Sequence, residues 1–174
     1  MPATAIQSKP EIQRPAGNLF VLSSLLAALF LNGLPWEGIW LMLRPDFVAL
    51  VLLYWCTHKP WRIGIGLAWM VGIFADVADA SLFGQHALAY SVLMFGAIFL
   101  HRRIRMFALP YQIAHVAAML VAQQLLQLLV RLVAGAESPG VVWFAASLTG
   151  AALWPVLVAL LKIPLQRRSN PDDV

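Results

Sequence analysis

Residues 107–133 read FALPYQIAHVAAMLVAQQLLQLLVRLV. A helix that crosses a bilayer needs about 20 predominantly apolar residues. This run exceeds that length with Arg131 as its single formal charge. A surface helix of a soluble domain would set a charged face against its apolar stripe, and no such face exists here. The run therefore reads as a membrane-spanning helix. Five more apolar blocks flank it, at 18–34, 36–56, 63–77, 82–100 and 141–163. The expected fold is all-α: a polytopic bundle of six transmembrane helices over 18–163, between cytoplasmic tails at 1–17 and 164–174.

Composition agrees with a lipid solvent. Of 174 residues, 61% are hydrophobic and 11% charged, whereas soluble domains are roughly half apolar and about a quarter charged. The net charge of +4 would raise nucleic-acid binding in a soluble protein. Here the cations sit in short clusters between apolar blocks, which is the pattern of cytoplasmic loops, so no nucleic-acid partner is expected. The lone cysteine, Cys56, excludes an intramolecular disulfide and reads as a buried thiol. The first 17 residues are polar, carry Pro2, Pro10 and Pro15, and lack the apolar core of a signal peptide.

Six crossings place ten of the twelve basic residues on one side: Lys9 and Arg14, Lys59 and Arg62, Arg102, Arg103 and Arg105, then Lys162, Arg167 and Arg168. Only Arg44 and Arg131 fall opposite. The positive-inside rule then puts both termini in the cytoplasm of a bacterial inner-membrane protein, with Glu37, Asp79 and Glu137 near the outer face. Block 36–56 is interrupted by Arg44-Pro45-Asp46. Proline removes a backbone donor, and the two charges are costly at membrane depth. The expectation is a short interfacial or re-entrant piece over 36–43, followed by a shorter crossing over 45–57. Trp36, Trp40, Trp55, Trp61 and Trp143 lie near block ends and read as headgroup anchors.

Two polar faces stand out. In block 63–77, Gly64, Ala68, Gly72 and Asp76 recur every four residues, with Asp79 on the same arc. Small residues permit close helix contact in lipid; the alternatives are a carboxylate that holds a partner or ion and a paired-aspartate intramembrane hydrolase. In block 107–133, Gln123, Gln124, Gln127 and Arg131 share one face, which reads as interhelical hydrogen bonding or the lining of a small-molecule cavity. Of the histidines, His58 and His101 read as solvated loop residues, and His115 as a hydrogen-bonder in the bundle. No histidine pairs at a metal-ligand spacing, and no nucleophile elbow or phosphate loop occurs. Ser23 and Ser24 are expected to bond back to their own helix. No catalytic residue, metal or cofactor is expected.

The order of the pieces resembles a known family. Arg44-Pro45-Asp46, the apolar run to Tyr54-Trp55, Pro60, Gly72-Ile73-Phe74-Ala75-Asp76 and Ser81-Leu82-Phe83-Gly84-Gln85-His86-Ala87-Leu88 are similar to the corresponding stretch of the rod shape-determining MreD proteins. The motifs cover 45–88, and chain length, helix number and basic loops extend the likeness. The resemblance implies a non-enzymatic inner-membrane scaffold of the cell-elongation complex, supporting lateral peptidoglycan synthesis and rod shape. Its partners would be membrane lipid and a single-span periplasmic MreC-like protein. Through that protein it would reach an MreB-like filament, a SEDS glycosyltransferase and a class B penicillin-binding protein; a homodimer is compatible with it. The family is similar in fold to the substrate-binding subunits of energy-coupling-factor transporters, so a vitamin-binding transporter subunit is the alternative. The positions carried over are Pro45, Asp46, Gly72, Asp76, Gly84, Gln85, His86, Ala87 and Leu88. Arg44, Asp46, Asp76, Gln85 and His86 are expected to gather in one polar cluster at the outer helix ends.

Overall fold

The computed structural model describes residues 17–59 and 63–167, with the backbone alone at 102–105 and 163–167. The expectations for the rest of both tails, and for Lys9, Arg14, Pro60, Trp61, Arg62 and Arg168, lie outside the described residues, as do the side chains of Arg102, Arg103, Arg105 and Arg167. The described chain is helical: α1 (Asn18–Asn32), α2 (Ile39–Leu43), α3 (Phe47–His58), α4 (Ile65–Ala78), α5 (Gln85–Met106), α6 (Leu109–Val133), a 3-10 turn (Val141–Phe144) and α7 (Ala145–Arg167).

Three segments are long and apolar enough to cross a membrane: Ile39–His58, Leu109–Val133 and Val141–Lys162. The apolar helices Asn18–Asn32, Ile65–Ala78 and Gln85–His101 are shorter. At 1.5 Å per residue they reach about 21–26 Å, less than the roughly 30 Å of hydrocarbon. Among the described residues, length and composition together therefore qualify three of the six expected crossings.

The centre of the bundle is α3, which packs against α1, α5 and α7. Every residue from Val48 to Thr57 is buried, as a helix that is apolar all round requires. The other helices are two-faced in a way that suits lipid. On α1, Val21, Leu25, Ala28 and Asn32 turn inward, while Leu19, Leu22, Leu26 and Phe30 are exposed. On α4 the outward row is Trp69, Met70, Phe74 and Val77, and on α5 it is Leu88, Val92, Phe95 and Phe99. Apolar side chains thus point both into the core and away from it. In water such a surface would be an aggregation liability.

Block 36–56 divides as the Arg44-Pro45-Asp46 break dictates. The five-residue α2 stops at Leu43, and α3 begins at Phe47 with Asp46 as its N-cap. Thr149 Oγ1 of α7 donates to the Leu43 carbonyl at 2.7 Å, so the broken backbone is satisfied by a neighbouring helix.

The most extensively packed pair among the described helices is α4 and α5, joined by the turn at 79–84. A Cβ on Gly72 would lie 2.6 Å from Ala87 N and 2.8 Å from the His86 carbonyl carbon. Glycine is therefore what lets the start of α5 rest on α4. Ala68 and Asp76 share this buried face, whereas Gly64, its first expected member, is exposed.

Several expectations are corrected. Helix α5 does not end at Leu100 but continues to Met106. No Gly or Pro interrupts 101–106, and arginine is a good helix former. His101 is consequently helical, with Nδ1 2.5 Å from the Ile98 carbonyl. His58 closes α3, half-buried and stacked on Tyr54 at 4.2 Å. His115 bonds within its own helix, Nδ1 to Tyr111 O at 2.7 Å, and not across the bundle. Trp55 is no headgroup anchor: it is fully buried, packs edge-on to Phe20 and Tyr54, and donates from Nε1 to Ser24 Oγ at 2.9 Å. Ser23 and Ser24 bond back to the Phe20 and Val21 carbonyls.

The Gly72 contact yields a prediction. Gly72→Ala forces α4 and α5 apart and costs about 2 kcal/mol, the usual cost of overpacking. Gly66→Ala, on the same helix with open space around it, leaves the thermal midpoint unchanged or slightly raised. Circular dichroism melts of both variants in one detergent make the comparison; equal midpoints would contradict the close approach.

Candidate functional site: a polar end of the bundle

Five helices, α1, α3, α4, α5 and α6, meet around two carboxylates. Asp46 stands before α3, where its Oδ1 accepts from Ala49 N at 3.0 Å as an ordinary N-cap. The same carboxylate accepts from Asn32 Nδ2 of α1 at 3.1 Å, from Tyr90 OH of α5 at 2.9 Å to each oxygen, and from Gln123 Nε2 of α6 at 2.7 Å. Asn32 Oδ1 returns a bond by accepting from Phe47 N at 3.0 Å. An ionised carboxylate has about four acceptor sites, and these four donors fill them. No cation among the described residues pairs with Asp46; its charge is held by neutral donors from four helices.

Asp76 plays the same part for α5. The N-cap of α5 is Gly84, at φ +95°, a left-handed conformation that favours glycine and that leaves the helix without a capping side chain. Asp76, in the last turn of α4, supplies the cap from outside. Its oxygens accept from Gly84 N at 2.8 Å, His86 N at 2.8 Å and Ala87 N at 3.4 Å. A negative group at these orphan amides also answers the helix dipole. Ser81 Oγ donates to Asp76 at 2.9 Å, and His86 Nδ1 lies 2.9 Å from it.

Arg44 ties the two centres together. It donates to the Asn32 carbonyl and pairs with Asp79 at 3.4 Å, which in turn lies 3.9 Å from His86 Nε2. The sequence-derived cluster of Arg44, Asp46, Asp76, Gln85 and His86 is thus placed at one end of the bundle, with Pro45 and Gly84 in the turns that shape it. Gln123 joins it through Asp46. Gln127 lines the same end but makes no bond to these residues.

The arrangement of Ser81, His86 and Asp76 does not form a nucleophile relay. A relay needs the serine on one ring nitrogen and the carboxylate on the other. Here Ser81 at 3.2 Å and Asp76 both meet Nδ1. Nor do the described residues hold a group of three His, Cys, Asp or Glu side chains fit for a metal.

Above the cluster lies a cavity of about 480 Å³. One wall is the polar face of α6, with Gln123, Gln124, Gln127 and Arg131; the other includes Arg44, Asp79 and Trp143. Gln124 is engaged at both ends of its amide, donating to Trp143 O at 3.1 Å and accepting from Ser147. Sequence reasoning missed Asn32 and Tyr90. The signal for Asn32 was legible as the amide at the far end of block 18–34, which otherwise carries one only at its first residue, Asn18; Tyr90 reads as any core aromatic until its partner is known.

The geometry predicts unequal losses. Asp46→Ala removes a cap and strands three donors, lowering stability by about 3 kcal/mol. Tyr90→Phe deletes a single donor and costs about 1–2 kcal/mol. Thermal unfolding in detergent checks the order; Tyr90→Phe as damaging as Asp46→Ala would refute the four-helix junction.

Comparison with known proteins gives the site a family. The family model of the rod shape-determining protein MreD matches residues 13–164. The rod shape-determining protein MreD of Haemophilus influenzae is 36% identical over 75 residues, covering 43% of this chain and 46% of that protein. The alignment thus spans less than half the length of that relative. No solved structure matches the chain. With the match running from before α1 into the last turns of α7, the chain belongs to the MreD family of membrane proteins, which are implicated in rod-shape determination.

Proposed function

We propose that this chain is a non-enzymatic scaffold of the bacterial inner membrane, crossing it six times with both termini in the cytoplasm. Its role is to bind a single-span, periplasmic MreC-like partner within the cell-elongation complex. The observation that carries the reading is the use of the polar groups: Asp46 and Asp76 cap and cross-link helices, and the outward faces of α1, α4 and α5 are apolar. A partner helix in lipid is held by packing against such faces. The six-crossing topology is supported by the meeting of the ends of α1, α3, α4, α5, α6 and α7 around one cavity, as strict up-and-down alternation produces. Shorter helices cross where the bilayer thins or flanking residues reach the interface. The polar end then faces the periplasm, opposite the basic clusters. Through its partner the scaffold reaches an MreB-like filament, a SEDS glycosyltransferase and a class B penicillin-binding protein, and supports lateral peptidoglycan synthesis.

A second reading is the vitamin-binding subunit of an energy-coupling-factor type transporter, a fold this family resembles. The cavity favours it by size, since small-molecule sites run about 300–1,000 Å³. Its wall, however, carries a single indole, Trp143, and offers no aromatic sandwich for a flat ring.

Co-expression tests the scaffold. The chain and a single-span periplasmic partner should co-purify from membranes, and Asp76→Asn, which weakens the α5 cap, should lower recovery of the pair at matched membrane levels. Failure of the wild-type pair to associate both in cells and in detergent would sink the proposal. Tight binding of a vitamin by the purified chain would favour the transporter reading instead.

A further inference from the structure

The cavity at the polar end has more hydrogen-bonding capacity than the helices use. Gln85, Gln123 and Gln127 are only 3%, 4% and 4% exposed, and all three line it. Gln85 Oε1, Gln123 Oε1, Gln127 Nε2 and Arg131 Nε are shielded and without a partner among the described residues. Buried polar atoms are otherwise almost always bonded, and four unpaired ones around one cavity mark a place built to receive something.

The chemistry of the open groups defines what that is. Gln123 is oriented by its bond to Asp46: a carboxylate only accepts, so the amide nitrogen faces Asp46 and the carbonyl is left as an acceptor. The Arg131 guanidinium is donor-only and permanently charged, and it makes no ion pair among the described residues. The other charges on the wall are engaged: Arg44 with Asp79, Asp46 with its four donors. Gln123, Gln127 and Arg131 recur every four residues along α6, a ladder about 12 Å long. It is negative at the Asp46 end and positive at the Arg131 end.

We propose that this cavity binds a small organic anion. Its phosphate or carboxylate meets Arg131 and the Gln127 amide, as charge-assisted bonds to guanidinium favour. Its hydroxyl or amide N–H groups, at the other end of the ladder, meet the Gln123 and Gln85 carbonyls. The same chemistry is available from a free hydroxylated acid or from the headgroup of a glycerophospholipid. The inference stands apart from the scaffold reading and requires no partner protein.

Equilibrium titration of the purified full-length chain in phosphatidylcholine nanodiscs tests it, with gluconate and sn-glycerol 3-phosphate as soluble probes and glycerol as the uncharged control. Native mass spectrometry of chain extracted from phosphatidylglycerol-containing membranes provides the lipid arm. Saturable binding of a soluble probe, with none of glycerol, identifies a free acid as the source; selective retention of phosphatidylglycerol identifies the headgroup. In either case Arg131→Gln weakens binding or retention by about tenfold or more. Val142→Trp, an exposed wall position, weakens it by filling the cavity while leaving Arg131 intact, and serves if Arg131→Gln does not fold. No saturable binding of either probe together with no retained phosphatidylglycerol, or binding unchanged in both variants, overturns the proposal.

Discussion

The Asp46 carboxylate is the constraint on which the bundle depends. A charge at a helix end in an apolar protein is costly unless every lone pair is engaged. Asp46 meets that demand by drawing one donor from α1, one from its own helix, one from α5 and one from α6. Each helix must then present its donor at the same point, which sets their relative heights. The apolar contacts of α3 set how closely the helices pack, but such contacts are non-directional and do not fix register. The carboxylate does.

A second device fixes the α4–α5 pair. Gly72 removes the side chain that would hold α5 away, and Asp76 on the same face supplies the cap that Gly84 lacks. Close approach and capping depend on each other: the cap reaches the α5 amides only because the helices touch. Arg44 and Asp79 then bridge this hairpin to the Asp46 junction. The polar end is therefore a connected network, while the outer faces of the helices are left to lipid and to other helices.

Such a division suits the proposed scaffold. Directional bonds confined to one end keep helix register rigid, and apolar flanks remain free for association through packing. The unsatisfied groups of Gln85, Gln123, Gln127 and Arg131 depart from this economy. They lie where the network opens into the cavity, beyond the reach of the helices' own donors and acceptors.

The sequence by itself determined the solvent and the division of the chain. Long apolar blocks with few charges admit only a helical membrane protein, because backbone groups in lipid must be satisfied within the segment. The Arg44-Pro45-Asp46 break was legible for a local reason: proline and the residue before it resist a continuous helix. The small face of α4 and the amide face of α6 were legible from periodicity. Pairing was not. Asp46 reaches Tyr90 and Gln123 across 44 and 77 residues, and Asp76 reaches the start of α5 through a turn; no periodicity encodes which helix lies opposite. The same limit explains why Trp55, at a block end, faced inward to Phe20 and Ser24 instead of the headgroups, and why His115 stayed on its own helix. Only tertiary packing decided which polar residues became caps, which became cross-links and which were left facing a cavity, since those roles belong to pairs of helices and not to any one of them.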